Sequence, residues 1–140
     1  MLSEFEVINR LEHIYVKIPN KFPCRHCHEC CNSILWFKPE ETLIKDYLKK
    51  HNIKYIICPT EQFDQLNMRC PFLKDDRCVI YSVRPIVCRL QGNIPELLCK
   101  YNKNRLMTKK QFNKIKREFD TLVKDVNGVG IFYSSRNLIL

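Results

Sequence analysis

The eight residues Cys-Arg-His-Cys-His-Glu-Cys-Cys at positions 24 to 31 constrain this chain more than any other stretch. Side chains this closely spaced can converge on one point only from loop backbone, and the flanking PNKFP (19–23) suits an irregular loop. The cysteines run Cys24-x2-Cys27-x2-Cys30-Cys31, then Cys70-x7-Cys78-x9-Cys88, with Cys58 and Cys99 outside the two groups. A CxxC turn lets two thiolates reach one metal, as in zinc knuckles. A CxxCxxC run joined by a distant fourth cysteine is the arrangement of iron–sulfur clusters in ferredoxins. The spacing therefore points to metal and leaves both metals open.

Disulfides fit the chain less well. It has nine cysteines, an odd number, in 140 residues, and that length can bury a core without covalent staples. No charged segment followed by an apolar run opens the sequence, and no apolar run is long enough to span a bilayer. The expected location is the cytoplasm, with no membrane association. There a reducing environment favours thiolate ligands over disulfides.

Seven cysteines lie in the two groups. One four-ligand site would use four of them, and two complete sites would need an eighth ligand from Cys58, Cys99, His26 or His28. Cys58 ends an apolar, strand-like run and reads better as a core thiol. Cys99 follows two leucines and reads either way. His26 and His28 could ligate zinc or face solvent.

Around the cysteines the chain reads as helices and short strands. Ser3 with Glu6 has capping-box spacing, and Phe5, Ile8, Leu11 and Tyr15 follow at helical intervals, which predicts a helix over about 4–16. A second helix starts at Pro39, with Glu40 and Glu41 in its first turn, where acids complement the helix dipole. Leu43, Ile44, Tyr47 and Leu48 form its apolar face, and Lys49, Lys50 and His51 suit its end. A short strand is predicted over 53–58. A hairpin is predicted where Lys-Asp-Asp separates 70–73 from 77–81, followed by a turn and short helix through 82–89. Thr108 with Gln111 caps a last helix, striped by Phe112, Ile115, Phe119, Leu122 and Val126 and ended by Asn127-Gly128. The GVGIFY stretch (128–133) is a candidate strand.

Charge is uneven. Of the net +9, residues 1–99 contribute +2 (14 basic, 12 acidic) and residues 100–140 contribute +7 (10 basic, 3 acidic). Lys109, Lys110, Lys114, Lys116 and Arg117 could meet nucleic acid or an acidic partner, or form an ordinary solvated helix face. No RNA- or DNA-binding signature accompanies them. Arg84 and Arg89 bracket Cys88. They could donate to a negatively charged metal–thiolate centre, or neutralise it and hold the turn. Tyr81 suits either a redox role or simple packing with its hydroxyl at the surface.

The ordered set CRHCHECC, then Pro39-Glu40-Glu41, then CPFLKDDRCVIYSVRPIVCR resembles the YkgJ-type cysteine-cluster proteins, described as zinc- or iron-chelating domains. The matching residues are Cys24, Cys27, Cys30, Cys31, Pro39, Glu40 and Glu41, then Cys70, Pro71, Phe72, Leu73, Cys78, Ile80, Tyr81, Arg84, Pro85, Cys88 and Arg89. The resemblance covers about residues 22 to 89. His28 stands where that family carries glycine, and LQGN follows Cys88-Arg89 where an aromatic-proline stretch is common. Some members of the family are linked to protein lysine methylation, notably a flagellin lysine methylase. This chain has no Gly-rich nucleotide loop, so that activity is not carried over.

Together these readings predict one small α+β domain over residues 1–140, with helices around a cysteine-rich, metal-bound loop and a short hairpin. The family-like core covers about 22–89, and residues 100–140 form a basic helical extension. Cys24, Cys27, Cys30, Cys31, Cys70, Cys78 and Cys88 are the expected metal ligands, with Arg84 and Arg89 contacting the bound group. The expected cofactor is a [4Fe–4S] cluster, with zinc as the alternative. The expected role is redox or the support of an enzyme, with an unidentified redox or protein partner. The first alternative is a structural zinc protein whose basic segment binds nucleic acid or protein. The second is a metal-dependent modifying enzyme, for which the sequence names no catalytic residue.

Overall fold

The computed structural model describes residues 2–19, 35–53, 70, 72–75, 77–101, 106–127 and 132–134. Helix α1 spans Glu4–Tyr15. Ser3 Oγ accepts from the Glu6 N–H at 3.1 Å, and the Glu6 carboxylate accepts from the Ser3 N–H at 2.8 Å. This reciprocal box satisfies two donors that the first turn otherwise leaves unpaired. The helix buries Val7, Leu11, Ile14 and Tyr15. Phe5, which the spacing places on this face, is instead 76% exposed, and Ile8 is only partly buried. The helix packs against two other helices at once, which turns its buried stripe toward Val7 and Ile14.

Strand β1 (Leu35–Phe37) leads directly into α2 (Lys38–Lys50). Pro39 lies in the first turn with Glu40 and Glu41, and Lys49 and Lys50 close the last turn, each where the helix dipole favours it. Leu43, Ile44 and Leu48 are buried, while half-buried Tyr47 stacks on His51 at 4.0 Å between ring centroids. The hairpin strands follow as β2 (Leu73–Lys74) and β3 (Arg77–Cys78), with Leu73 opposite Cys78 and Lys74 opposite Arg77. Asp75 takes φ = 50° at the turn, a left-handed conformation that aspartate tolerates better than most residues. A 3-10 turn over Tyr81–Val83 then leads to the five-residue helix α3 (Ile86–Leu90), as the turn-and-helix reading predicts.

Helix α4 (Lys109–Asn127) begins at a second reciprocal cap: Thr108 N–H donates to Gln111 Oε1 at 2.9 Å, and Gln111 N–H to Thr108 Oγ1 at 3.1 Å. Ile115, Phe119, Leu122 and Val123 are buried, and all five cations of the 109–117 run are exposed. Strand β4 (Phe132–Ser134) pairs antiparallel with β1, Trp36 opposite Tyr133. The GVGIFY stretch thus contributes a strand, whereas its partner β1 has no counterpart in the sequence reading.

Helices α1, α2 and α4 pack on one another around Leu11, Ile14, Ile44, Leu48, Ile115 and Leu122. Phe37 meets Phe119 edge-on at 5.0 Å. Two ion pairs fasten the α1 side to α4 at the surface, Arg10–Asp125 at 3.0 Å and Lys17–Glu118 at 2.7 Å. The hairpin and α3 lie at the β1 side, with Phe72, Ile80, Val83, Ile86 and Leu90 continuing the same core. The architecture is α+β. The predicted loop at 24–31 and the predicted strand beyond Ile53 lie outside the described residues, as do Pro71 and Gly128. Among the described residues no helix is long and apolar enough to cross a membrane.

Candidate metal centre

Three thiols lie on the hairpin side of the core. Cys70 precedes β2 and is buried, Cys78 sits in β3, and Cys88 lies in the middle of α3. They are near enough to act on one another's charge. Burial pushes the Cys70 thiol up to about 12, and the neighbouring Cys78 adds to the effect. Burial also raises Cys88 far above the ordinary thiol range, helped by Cys70, Cys78 and the carboxylate of Glu40. Cys78 is raised by burial as well. In the metal-free protein these are neutral thiols at pH 7, because each charge would be poorly solvated and would repel the next.

The backbone partly opposes that cost. The N–H groups of Phe72 and Leu73 favour the thiolate of Cys70, and the N–H of Ile80 favours that of Cys78. The Leu73 N–H also donates to the Cys70 carbonyl at 3.0 Å, closing the turn that leads into the hairpin.

Arg84 supplies positive charge. Its guanidinium lies 3.8 Å over the half-exposed ring of Tyr81, and its Nε donates to the Tyr81 carbonyl at 3.0 Å. From there it favours the thiolate forms of Cys78 and Cys88. Arg89 has a different geometry. It donates to the carbonyls of Arg84 and Ser82, both at 2.8 Å, and so ties the loop before α3 to α3 itself. Its guanidinium also covers the ring of Tyr15.

Behind Cys88 sits a buried carboxylate. Glu40 is fully enclosed and accepts from three donors: the Tyr15 hydroxyl, the Ile86 N–H, and the Phe37 N–H at 3.1 Å. Burial pushes its carboxyl up to about 7, against those hydrogen bonds and the charge of Arg89, which hold it down. Sequence reasoning assigns Glu40 to the helix dipole and Tyr15 to an apolar stripe. Their joint role is invisible there because Tyr15, Glu40 and Ile86 are far apart along the chain. The available signal is that Glu40 belongs to the Pro-Glu-Glu motif.

The described residues on either side of the 20–34 segment each contact a residue a few positions from one of these thiols. On the side preceding it, Asn93 donates to the Pro19 carbonyl at 3.3 Å and to the Arg89 carbonyl at 2.8 Å. On the far side Trp36 is fully buried, its ring 5.9 Å from that of Phe72, two residues after Cys70. Cys24, Cys27, Cys30 and Cys31 lie outside the described residues, as do His26, His28 and Cys58. Cys99 is half-buried beyond the 3-10 turn Pro95–Leu97.

Among the described residues no group of three or more His, Cys, Asp or Glu side chains is arranged to hold a metal by itself. Cys70, Cys78 and Cys88 do not by themselves form such a group. As thiols their chemistry suits a soft or borderline metal: sulfur donors select zinc, iron–sulfur clusters or copper(I) over hard cations.

Searches of curated proteins and of solved structures each returned no significant match. A family model does match, over residues 23–121, further along the chain than the 22–89 span of the shared motifs. The match takes in both cysteine groups, the buried Glu40 and most of α4. The chain belongs to the CxxCxxCC family, described as a "putative zinc- or iron-chelating domain".

Proposed function

We propose that Cys70, Cys78 and Cys88 form one half of a thiolate metal centre completed by Cys24, Cys27, Cys30 and Cys31. We further propose that the centre is an iron–sulfur cluster of the [4Fe–4S] type, serving electron transfer or supporting an enzyme. The observation that carries this reading is where the described residues on either side of positions 20–34 are held. Cys24 is five residues from Pro19 and Cys31 is five residues from Trp36. Five residues reach at most about 18 Å. Pro19 accepts a hydrogen bond from Asn93, five residues after Cys88, and Trp36 packs on Phe72, two residues after Cys70. A CxxCxxC run joined by a distant cysteine is also the arrangement that ferredoxin clusters use, and four of the seven thiols would suffice for one cluster.

In this reading Arg84 offsets the charge of the thiolates, Arg89 holds the loop before Cys88, and the 1–140 chain works as one unit. A reducing compartment such as the cytoplasm suits the exposed chemistry of such ligands. Metal and acid-labile sulfide analysis, with a visible spectrum, tests it on untagged protein purified without oxygen. Iron and sulfide in equal amounts with broad visible absorption is the expected result.

Stoichiometric zinc without sulfide would replace the cluster by a structural zinc site. One observation favours that second reading: Lys109, Lys110, Lys114, Lys116 and Arg117 all face solvent. Arg117 also shares a groove of about 600 Å³ between α1 and α4 with Arg10, His13, Lys17 and Glu118, in which Lys17 is paired with Glu118 and Arg10 with Asp125. In the zinc reading this cationic surface meets nucleic acid or an acidic protein.

A further inference from the structure

Cys88 sits in a helix too short to be stable by itself. Helix α3 has five residues, and Pro85 before it offers no side-chain cap. So short a helix has almost no stability of its own. Its first N–H, at Ile86, is answered instead by Glu40, 46 residues earlier in the chain. Glu40 cannot swing away from that position. The Phe37 N–H holds its other oxygen, and the Tyr15 hydroxyl shares the oxygen that Ile86 uses. Cys88 follows Ile86 by two residues in the same turn, so the contact at the start of α3 acts on the Cys88 side chain together with the Arg89 bonds to Ser82 and Arg84. Cys70 and Cys78 do not depend on this contact. Cys70 leads into a hairpin with its own register and Cys78 lies in its second strand opposite Leu73, whose N–H donates to the Cys70 carbonyl at 3.0 Å.

We infer that Glu40, held in place by Tyr15, is a positioning residue for one ligand of the metal centre: it aims Cys88 and leaves Cys70 and Cys78 to the hairpin. The inference rests on the metal-centre reading above and adds to it a division of labour among the three thiols. A buried carboxylate is an expensive way to cap a five-residue helix. It is intelligible if the direction of α3, and not only its stability, has to be fixed.

Cobalt(II) is a suitable probe, because its sulfur-to-metal charge-transfer band grows with the number of bound thiolates. The reduced full-length chain is titrated with cobalt(II) against a competing chelator. The variants are Glu40→Gln, Tyr15→Phe, Cys88→Ser and Cys78→Ser, with Glu40→Gln also combined with each cysteine substitution. Glu40→Gln is expected to weaken cobalt binding by about tenfold or more, the range seen when the supports of metal ligands are removed, and to reduce the charge-transfer band. Combined with Cys88→Ser it should add nothing further, whereas combined with Cys78→Ser it should keep its full effect.

Tyr15→Phe keeps the ring and removes only the hydroxyl, and should show the same dependence on Cys88 at smaller size. It carries the test if Glu40→Gln does not fold. Equal effects of the Glu40 or Tyr15 substitution in both cysteine backgrounds would overturn the inference, because a merely structural role acts on all three thiols alike. So would unchanged affinity and band in Glu40→Gln and Tyr15→Phe. A wild-type chain that gives no thiolate band at all would overturn the metal-centre reading and this inference with it. A normal wild-type band with unaffected variants would overturn this inference alone.

Discussion

Arg89 holds its guanidinium 3.9 Å from the centroid of the Tyr15 ring, joining the end of the first helix to the short helix that carries Cys88. The same group donates to two carbonyls of the preceding loop, at Ser82 and Arg84. A planar fork can stack and donate in two directions at once, and a lysine ammonium cannot. Arg89→Lys should therefore lower stability by about 2 kcal/mol, the scale of losing charge-assisted hydrogen bonds at a partly buried site. Urea unfolding of wild type and variant measures it. A loss within the scatter of surface substitutions would show that the stacking and the two hydrogen bonds are replaceable.

Phe72 links the cysteine hairpin to the core through Trp36, both rings being fully buried. Phe72→Ala removes most of a core aromatic and leaves a cavity under Cys70. The expected destabilisation is about 3–5 kcal/mol. Chemical denaturation of the metal-loaded and metal-free proteins checks it. The loss should appear in both forms, because the packing does not involve the metal.

Metal binding and pH should be linked through the buried thiols. In the metal-free fold Cys70 is pushed up to about 12 by burial, and Cys78 and Cys88 are raised for the same reason. A thiol in the unfolded chain titrates near about 8.5. Each raised thiol therefore contributes stability that is fully present below about 8.5 and lost as pH rises toward its folded value. The metal-free protein should become easier to unfold between pH 8 and pH 10, by urea midpoint. Metal affinity should move the opposite way, rising by about tenfold per pH unit for each proton released on binding. Proton release on metal addition in weakly buffered solution measures that number directly.

The Lys17–Glu118 pair is short at 2.7 Å, but both side chains remain about a third exposed. The lysine holds the Glu118 carboxyl below the ordinary carboxylate range. Exposed pairs of this kind are worth about 1 kcal/mol or less, and salt screens them. Glu118→Gln should change stability by no more than that, with a difference that shrinks in 1 M NaCl. A larger loss would mean that the pair sets the approach of α4 to the α1 side.

Local chemistry made several elements legible. Ser3 with Glu6 and Thr108 with Gln111 form the reciprocal caps that their spacing implies, because a capping box involves residues three apart. The Lys-Asp-Asp turn and the buried stripe of α4 were readable for the same reason. The face of α1 was not. Phe5 lies outside the core although its spacing fits, since which side of a helix is buried depends on neighbours far along the chain. The pairing of Leu35–Phe37 with Phe132–Ser134 joins segments nearly a hundred residues apart, and three residues carry too little periodicity to announce a strand.

The candidate centre divides in the same way. Cysteine identity and order by themselves determined that this chain is built to bind metal, and they gave the ligand candidates, since thiolate chemistry and turn reach depend on residue type and short spacing. Only the tertiary structure decided that Cys70, Cys78 and Cys88 come near enough to act on one another's charge, and that Pro19 and Trp36, on either side of the other cysteine segment, contact Asn93 and Phe72. It alone turned Glu40 from a helix-end charge into the acceptor for three donors from separate parts of the chain. A buried carboxylate needs every one of those donors to offset its lost hydration, and no local sequence window contains them all.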